Sequence, residues 1–410
     1  MGVGSLCKKL CPTLISSLTS VDSKSSECDC NCECLIDNVN RSISQSSGIT
    51  QITDNHPSAK INFNEFEPLA LLGRGTFGKV ILVRRKKDNK LYAIKVLKKS
   101  KIKYQNQIDH TKTERKILER INHPFIAHLS FAFQDPKKLY FVTEYMAGGE
   151  LFYHLRKSRI FDENRAKFYI CELILAIEGL HKMNCIYRDL KPENILLDKE
   201  GHVKLTDFGL SKIIKAKDFG ENNIAFTICG TPDYLAPEIL EGRGYNKDVD
   251  WWSLGALYYE MIAGDAPFRT EKGENKLSLD KFKKPIIFKT NLFSPELKDL
   301  ISRLLSINVE NRIGYKKGAE EIKNHPVFKG VNWEDYFNKK IKPPFVPNIA
   351  SEVDLGNFDK VFTEENPMRT TPPDRKMLQL ERQLQYKYED FTYDNDNILK
   401  KNFSGKIEKY

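Results

Sequence analysis

The chain has 410 residues, of which 40% are hydrophobic and 29% charged, and a formal net charge of +10. That length holds two or three compact units, and the balance is that of a water-soluble folded protein. No apolar run approaches the roughly 18 residues of a membrane span, the N-terminus lacks the long apolar core of a secretory signal, and no zinc-finger spacing or RNA-binding signature accompanies the positive charge, so a lysine-rich surface is expected and no nucleic-acid partner.

Residues 1–62 are rich in Ser, Thr, Asn and Asp with little periodicity, and a disordered tail is expected there. Six of the nine cysteines (Cys7, Cys11, Cys28, Cys30, Cys32, Cys34) lie in the first 34 residues. They form no disulfide framework, which suits a reducing cytoplasm. The start Met1-Gly2-Val3-Gly4-Ser5-Leu6-Cys7-Lys8-Lys9 partly matches an N-myristoylation signal, with Leu6 at the usual Ser/Thr position. Palmitate on Cys7 and Cys11, with Lys8 and Lys9 on anionic lipid, would supply the second signal that stable anchoring needs. A plain flexible tail is the other reading. The run Cys28–Cys34 alternates Cys with polar residues. Its thiolates suit a soft metal, but no second ligand cluster closes a zinc site, so a reactive or lipidated tract is the simpler expectation.

Order is expected from Phe63 onward. Gly73-Arg74-Gly75-Thr76-Phe77-Gly78-Lys79-Val80 lies between two apolar, strand-like runs. Dinucleotide folds open a helix with such glycines, whereas a second strand follows here, which predicts a hairpin flap. Glycines let backbone amides approach a phosphate without a Cβ in the way, and Val80 would face a base. The alternating strand Tyr92–Leu97 carries an inward lysine, Lys95. Its expected partner is Glu114, in a helical stretch from His110 to Leu118. Two further strands end at Phe141–Met146, and helical patterns then dominate, notably 165–182.

The run Ile186-Tyr187-Arg188-Asp189-Leu190-Lys191-Pro192-Glu193-Asn194, followed by Asp207-Phe208-Gly209, resembles the catalytic loop and metal-binding turn of a eukaryotic protein kinase. Phosphoryl transfer needs a carboxylate to orient the attacking hydroxyl and oxygen ligands to hold Mg²⁺ on the phosphates of ATP. Asp189 fits the first task, and Asn194 and Asp207 the second. Lys191 would neutralise charge on the moving group. Downstream, Asp250 is expected to brace the catalytic-loop backbone, and Arg312 to pair with Glu238 as a fold staple. With Tyr187 where most families have His, the constellation resembles a eukaryotic protein kinase.

Residues 63–400 resemble the AGC group of serine/threonine protein kinases, closest in motifs to the protein kinase B and the serum- and glucocorticoid-regulated types. Tyr187, the stretch Thr227-Ile228-Cys229-Gly230-Thr231-Pro232-Asp233-Tyr234, and a tail with Pro343–Pro347, Phe358, Phe362, Thr370–Asp374 and Tyr388–Tyr393 carry the likeness. The resemblance implies an α+β, two-lobed kinase fold: a small antiparallel sheet with one helix, and a mainly helical large lobe. The expected organisation is a tail over 1–62, a kinase domain over 66–328 and a C-terminal tail over 329–403. Adenine would meet Leu72, Val80, Ala93, Glu144 and Leu196, with phosphates under Gly73, Gly75 and Gly78. Thr143 would leave a roomy rear pocket. Glu150, Glu193 and Glu260 would select Arg at −3, with −5 as a further position, of a Ser or Thr substrate.

Regulation is expected from phosphate on Thr227, Thr371 and Thr392, added by an upstream kinase. Unmodified Thr227 would leave Arg188, Lys212 and His110 without a counter-charge. Phosphate on Thr371 would clamp the tail to the small lobe, and on Thr392 would help Tyr388 and Phe391 enter a groove. A monomer is expected, cytoplasmic, and at a membrane if the N-terminus is acylated. The rival readings are a cyclic-nucleotide-regulated kinase, against which Thr392 argues, a pseudokinase, and a scaffold role of the tails.

Overall fold

A computed structural model describes residues 61–368, apart from 103, 215–223, 270–274, 276 and 290, together with residues 386–396. The chain divides between Ala59 and Lys60, and the second unit is the one described. The cysteine run, the acylation signals and Thr371 lie outside the described residues.

The small lobe begins with β1 (Phe66–Arg74), β2 (Gly78–Arg85) and β3 (Leu91–Lys98), antiparallel neighbours. Gly78 is dictated by this packing: a Cβ there would lie 1.8 Å from the Val96 carbonyl oxygen. Helix α1 (Gln105–Arg120) follows. Its buried residues Ile108, Thr111, Glu114, Ile117 and Leu118 recur at intervals of three and four, so one face is covered and Glu114 is the charge on it. β4 (Leu129–Gln134) and β5 (Lys138–Glu144) complete the run that periodicity predicts.

The large lobe starts with the short β6 (Gly149–Glu150) and α2 (Leu151–Ser158). Helix α3 (Glu163–Lys182) is capped by Asp162, whose side chain accepts from Arg165 N. The site loops hang between β7 (Cys185–Ile186), β8 (Ile195–Leu197), β9 (Val203–Leu205) and β10 (Lys212–Ile213). Beyond α4 (Pro237–Glu241), helix α5 (Asp248–Ala263) buries every residue but Glu260. It is apolar all round because it runs through the middle of the lobe, packed by α3 and by α6 (Pro295–Leu304). No described helix is long and apolar enough to cross a membrane.

The chain then returns to the small lobe. Phe345 packs on His154 and lies 4.0 Å from the Arg165 guanidinium. The Tyr145 and Tyr153 hydroxyls donate to the Asp354 and Gly356 carbonyls, which carry the tail across the hinge, the stretch after β5 that joins the two lobes. Last comes β11 (Tyr393–Asp394), which pairs with β4 and makes a six-stranded sheet of order β1-β2-β3-β5-β4-β11.

Arg312 grips Glu238 with two bonds of 2.6 and 3.0 Å, its side chain fully buried. Arg312→Met would strand the Glu238 carboxylate and is expected to cost about 3–5 kcal/mol in urea unfolding followed by tryptophan fluorescence, with part of that recovered when Glu238→Leu is added.

Candidate active site

Lys95 lies mid-strand on β3, opposite Val80 on β2 and Phe141 on β5. Its ammonium meets Glu114 Oε1 at 2.7 Å and Asp207 Oδ1 at 3.0 Å, so one cation ties β3, α1 and the large lobe together. Burial works against that charge, but Asp207 and Glu114 outweigh it and hold the Lys95 pKa above the ordinary lysine value. The same ammonium holds the Asp207 carboxyl below its usual range. Burial pushes Glu114 upward, with Lys95 opposing.

Asp189 is enclosed by donors. Thr231 Oγ1 donates to one carboxylate oxygen at 3.0 Å, and Lys191 meets the other at 2.9 Å while donating to Thr231 at 2.9 Å. The Asn194 amide donates at 2.8 Å to both the Asp189 carbonyl and its carboxylate. The loop is held in an uncommon shape, since Arg188 and Asp207 have φ of 70° and 55°, at a typical cost of about 1–3 kcal/mol each. Asp250, fully buried, offsets this by accepting from Tyr187 N at 2.9 Å and Arg188 N at 2.8 Å, with His181 Nε2 at 2.8 Å. Tyr187, where the sequence departs from the common His, donates its hydroxyl to the Thr206 carbonyl and packs its ring on Phe208 at 5.3 Å.

These groups border one cleft of about 730 Å³, the size of a small-molecule site. Leu72, Val80, Ala93, Thr143 and Leu196 form its apolar end. Gly73, Gly75 and Gly78 roof it, and Cβ atoms added at Gly73 or Gly75 would meet nothing within 4 Å, which leaves room for phosphates against the backbone. The metal donors fit a hard cation. The Asp207 side chain is 50% exposed, and with the Asn194 nitrogen spent on Asp189 its amide oxygen is what remains. Two oxygen ligands suit Mg²⁺, which keeps waters and takes its other oxygens from phosphates. Among the described residues no group of three or more His, Cys, Asp or Glu forms a closed cage.

Glu144 borders the cleft, but its carboxylate is spent on Lys204 at 2.7 Å and His128 N at 3.0 Å, so a nucleotide would meet its main chain and not its charge. In the sequence Phe358 carries only the likeness of the tail. It stacks on Tyr145, ring centroids 5.9 Å apart, and lines the same cleft. An aromatic in a segment with no periodicity of its own was the available signal.

Of the three acids expected to read a peptide, Glu150 and Glu193 line the cleft and Glu260 lies outside it. Burial, and then the charge of Glu193, raise Glu150. Burial pushes Glu260 up to about 7 against the hydrogen bond from the Tyr234 hydroxyl, with Glu193 adding to the rise. Glu193 thus faces both, and its Oε2 is buried without a partner among the described residues.

Thr227 is exposed, and its carbonyl accepts from the Tyr245 hydroxyl at 2.6 Å. Arg188 Nη1 donates to that hydroxyl at 2.9 Å, and Arg188 Nε to the Leu210 carbonyl at 2.5 Å. Arg188 is therefore satisfied by neutral acceptors, not left bare. His110 is lowered by burial and by the nearby Arg188 charge, and Lys212 lies on β10, packed against α1. Tyr388 and Phe391 are buried, with Phe391 edge-on to Phe141 at 5.1 Å. Thr392 is exposed, its carbonyl accepting from Arg115 at 3.2 Å.

A lysine–glutamate–aspartate bridge between lobes, beside an aspartate held by Lys, Thr and Asn under a glycine-rich flap, defines an ATP-dependent phosphotransferase site. The family model for the protein kinase domain matches residues 66–328, and that for the protein kinase C terminal domain matches residues 349–393. The chain is 47% identical over 342 residues to the serine/threonine-protein kinase gad8 of Schizosaccharomyces pombe, covering 83% of this chain and 58% of that one. It is 44% identical over 339 residues to the RAC family serine/threonine-protein kinase homolog of Dictyostelium discoideum, covering 82% and 73%, and 44% identical over 333 residues to the RAC-beta serine/threonine-protein kinase of Mus musculus, covering 81% and 68%. The chain belongs to the protein kinase family, in the AGC group of serine/threonine kinases, beside the protein kinase B and serum- and glucocorticoid-regulated types.

Asp250→Ala would strand two buried N–H groups, and is expected to cost about 1–3 kcal/mol for each in thermal unfolding and to lower kcat more than it raises KM for ATP.

Proposed function

We propose that this protein transfers the γ-phosphoryl group of ATP to Ser or Thr in basic protein substrates, under control of its activation segment and tail. The observation that carries the reading is the web on Asp189. A carboxylate fixed by Thr231, Lys191 and Asn194 has its orientation set before a substrate arrives. Asp189 orients the acceptor hydroxyl and takes its proton. Lys191 offsets charge on the moving phosphoryl group. Lys95, aimed by Glu114, holds the α- and β-phosphates. Asn194 and Asp207 would bind Mg²⁺, which supplies positive charge on the phosphate oxygens. Phe358 closes the adenine end, and Gly73, Gly75 and Gly78 keep the backbone close to the phosphates.

Glu150, Glu193 and Glu260 favour Arg at −3 and −5 of the substrate. Their mutual repulsion supports this, because a guanidinium relieves it. Ile228, Pro232 and Leu235 suit an apolar residue after the acceptor. Phosphate on Thr227 would join Arg188, His110 and Lys212, drawing the segment, the loop and α1 together. For Thr371, the support is a convergence of cations near Pro367: Lys79, which donates to the Pro367 carbonyl, with Lys138, Arg74 and Lys98, whose charges depress the Lys79 pKa after burial does, Arg74 being paired with Glu365. An upstream kinase would add these phosphates. Cys171, Cys185 and Cys229 are free thiols, which suits the cytoplasm. The protein would work as a monomer, and dual acylation of the N-terminal segment would bring it to a membrane.

Radiolabelled transfer from ATP to an Arg-x-Arg-x-x-Ser peptide tests the reading, with wild type expected active after treatment with an upstream kinase, Asp189→Asn reduced by about 10²–10⁴-fold, and an acidic peptide poorly used. Thr227→Ala is expected to lose most of that activity, and equal activity would remove the switch while leaving the kinase. Glu260 must be ionised to hold a guanidinium. As pH falls through about 7 its carboxyl takes up a proton, so KM for the Arg peptide is expected to rise below that pH, and Glu260→Gln to flatten the profile.

A further inference from the structure

The short turn that carries Pro232 is held from several sides. Thr231 Oγ1 donates to Asp189 at 3.0 Å, and Tyr234 N closes the turn on the Thr231 carbonyl at 3.0 Å. The Tyr234 hydroxyl donates to Glu260 of α5, and the Tyr234 carbonyl accepts from Ser253 Oγ of the same helix at 2.9 Å. Those partners belong to the loop bearing Asp189 and to the central helix. A further one comes from elsewhere in the chain: Lys281 Nζ donates to the Pro232 carbonyl at 2.7 Å, across 49 positions of sequence.

Lys281 lies in a second short turn, Leu279–Lys283, capped by Ser278, whose hydroxyl accepts from Asp280 N at 3.1 Å. Phe282 anchors this turn. Its ring meets Trp252 at 5.4 Å and Phe268 at 5.1 Å, both edge-on, while Trp252 and Phe268 stack at 5.5 Å. All three rings are buried, and the turn also packs on α4. Edge-to-face and stacked rings fix one another's orientation, so the backbone beside Lys281 is a firm base for its side chain.

A lysine that only shielded Phe282 would lay its stem on the ring and keep its ammonium in water. Lys281 is instead 5% exposed, and its ammonium, 5.0 Å from the Phe282 centroid, is bonded to a backbone carbonyl. Burial pushes its pKa below the ordinary lysine value, with the charge of Asp233 opposing. A buried cation persists only where polar partners compensate it, and both the Pro232 carbonyl and the Asp233 charge belong to the Pro232–Tyr234 turn. Around that turn stand the residues proposed to face the +1 side chain: Pro232 itself, the buried Leu235 and Ile228, which is 54% exposed.

We propose that Lys281 is a positioning residue for the +1 wall: by holding the Pro232 carbonyl from the 279–283 turn, it fixes the spacing of Ile228, Pro232 and Leu235, and with it the preference for a large apolar side chain after the acceptor. The proposal rests on the kinase reading above and deepens it at one subsite. Lys281 does not line the nucleotide cleft, so its loss bears on peptide selection and not on ATP.

The test uses the full chain after treatment with an upstream kinase, comparing wild type, Lys281→Met and Lys281→Arg on two peptides, Arg-x-Arg-x-x-Ser-Leu and Arg-x-Arg-x-x-Ser-Gly. For each, kcat, KM for peptide and KM for ATP are read, and binding of the same peptides, fluorescently labelled, is measured without ATP. Wild type is expected to favour the Leu peptide. Methionine keeps the packing on Phe282 but has no donor, so KM for the Leu peptide is expected to rise about fivefold or more, the scale of one charge-assisted hydrogen bond, with KM for the Gly peptide and for ATP moving by less than roughly twofold. Lys281→Arg keeps a cationic donor and is expected to retain most of the preference. A wild type without a Leu preference, or an unchanged Leu-to-Gly ratio in Lys281→Met, overturns the proposal. So does an equal loss on both peptides and on ATP, which is what a general loosening of the lobe gives. A wild-type chain that transfers no phosphate, but binds the Leu peptide more tightly and loses that preference in Lys281→Met, sinks the kinase reading and leaves the positioning role standing.

Discussion

The ammonium of Lys95 is the point on which the arrangement turns. It lies on a central strand, bound at once to Glu114 of a helix and to Asp207 of the other lobe. One cation stands between two acids, and removing it would leave both carboxylates without their counter-charge. The cluster therefore holds three elements in register: β3, α1 and the turn at Asp207. A cleft closes around it, and whatever moves α1 changes whether the lysine is aimed.

Two routes lead from that helix to the rest of the chain. One passes through the large lobe, where His110 of α1 feels the charge of Arg188, and Arg188 reaches the Thr227 carbonyl through the Tyr245 hydroxyl. Asp250 fixes the backbone of the same arginine from beneath, so the activation segment and the loop bearing Asp189 rest on one buried carboxylate. The other route is the tail, which crosses the hinge at Tyr145, places Phe358 at the cleft and returns to α1 through Tyr388 and Phe391. Both routes end on the helix that carries Glu114.

Much of this is written locally in the chain. Lys95 stands out because a charge faces inward from an alternating strand. Glu114 stands out as an acid on an apolar helical face, and the structure joins them at 2.7 Å. Asp189, Lys191 and Asn194 lie within six positions of one another, so a short motif is enough to bring them together. What escaped the sequence depends on long-range contacts. The use of the Glu144 carboxylate by Lys204, the stacking of Phe358 on Tyr145, the neutral partners of Arg188 and the pairing of β11 with β4 each join residues that carry no mutual signal along the chain. Burial likewise sets the titration of Glu260, and composition does not reveal it.

The most direct measurement is the single-turnover rate of peptide phosphorylation by Glu114→Gln, with ATP affinity measured on the same protein. Glutamine keeps the shape of the side chain and removes the charge that aims Lys95. The account predicts a fall in the rate of about tenfold or more, one unit of 1.4 kcal/mol or greater, with ATP affinity changed far less. A rate equal to wild type would contradict it, because Lys95 would then be aimed without its partner.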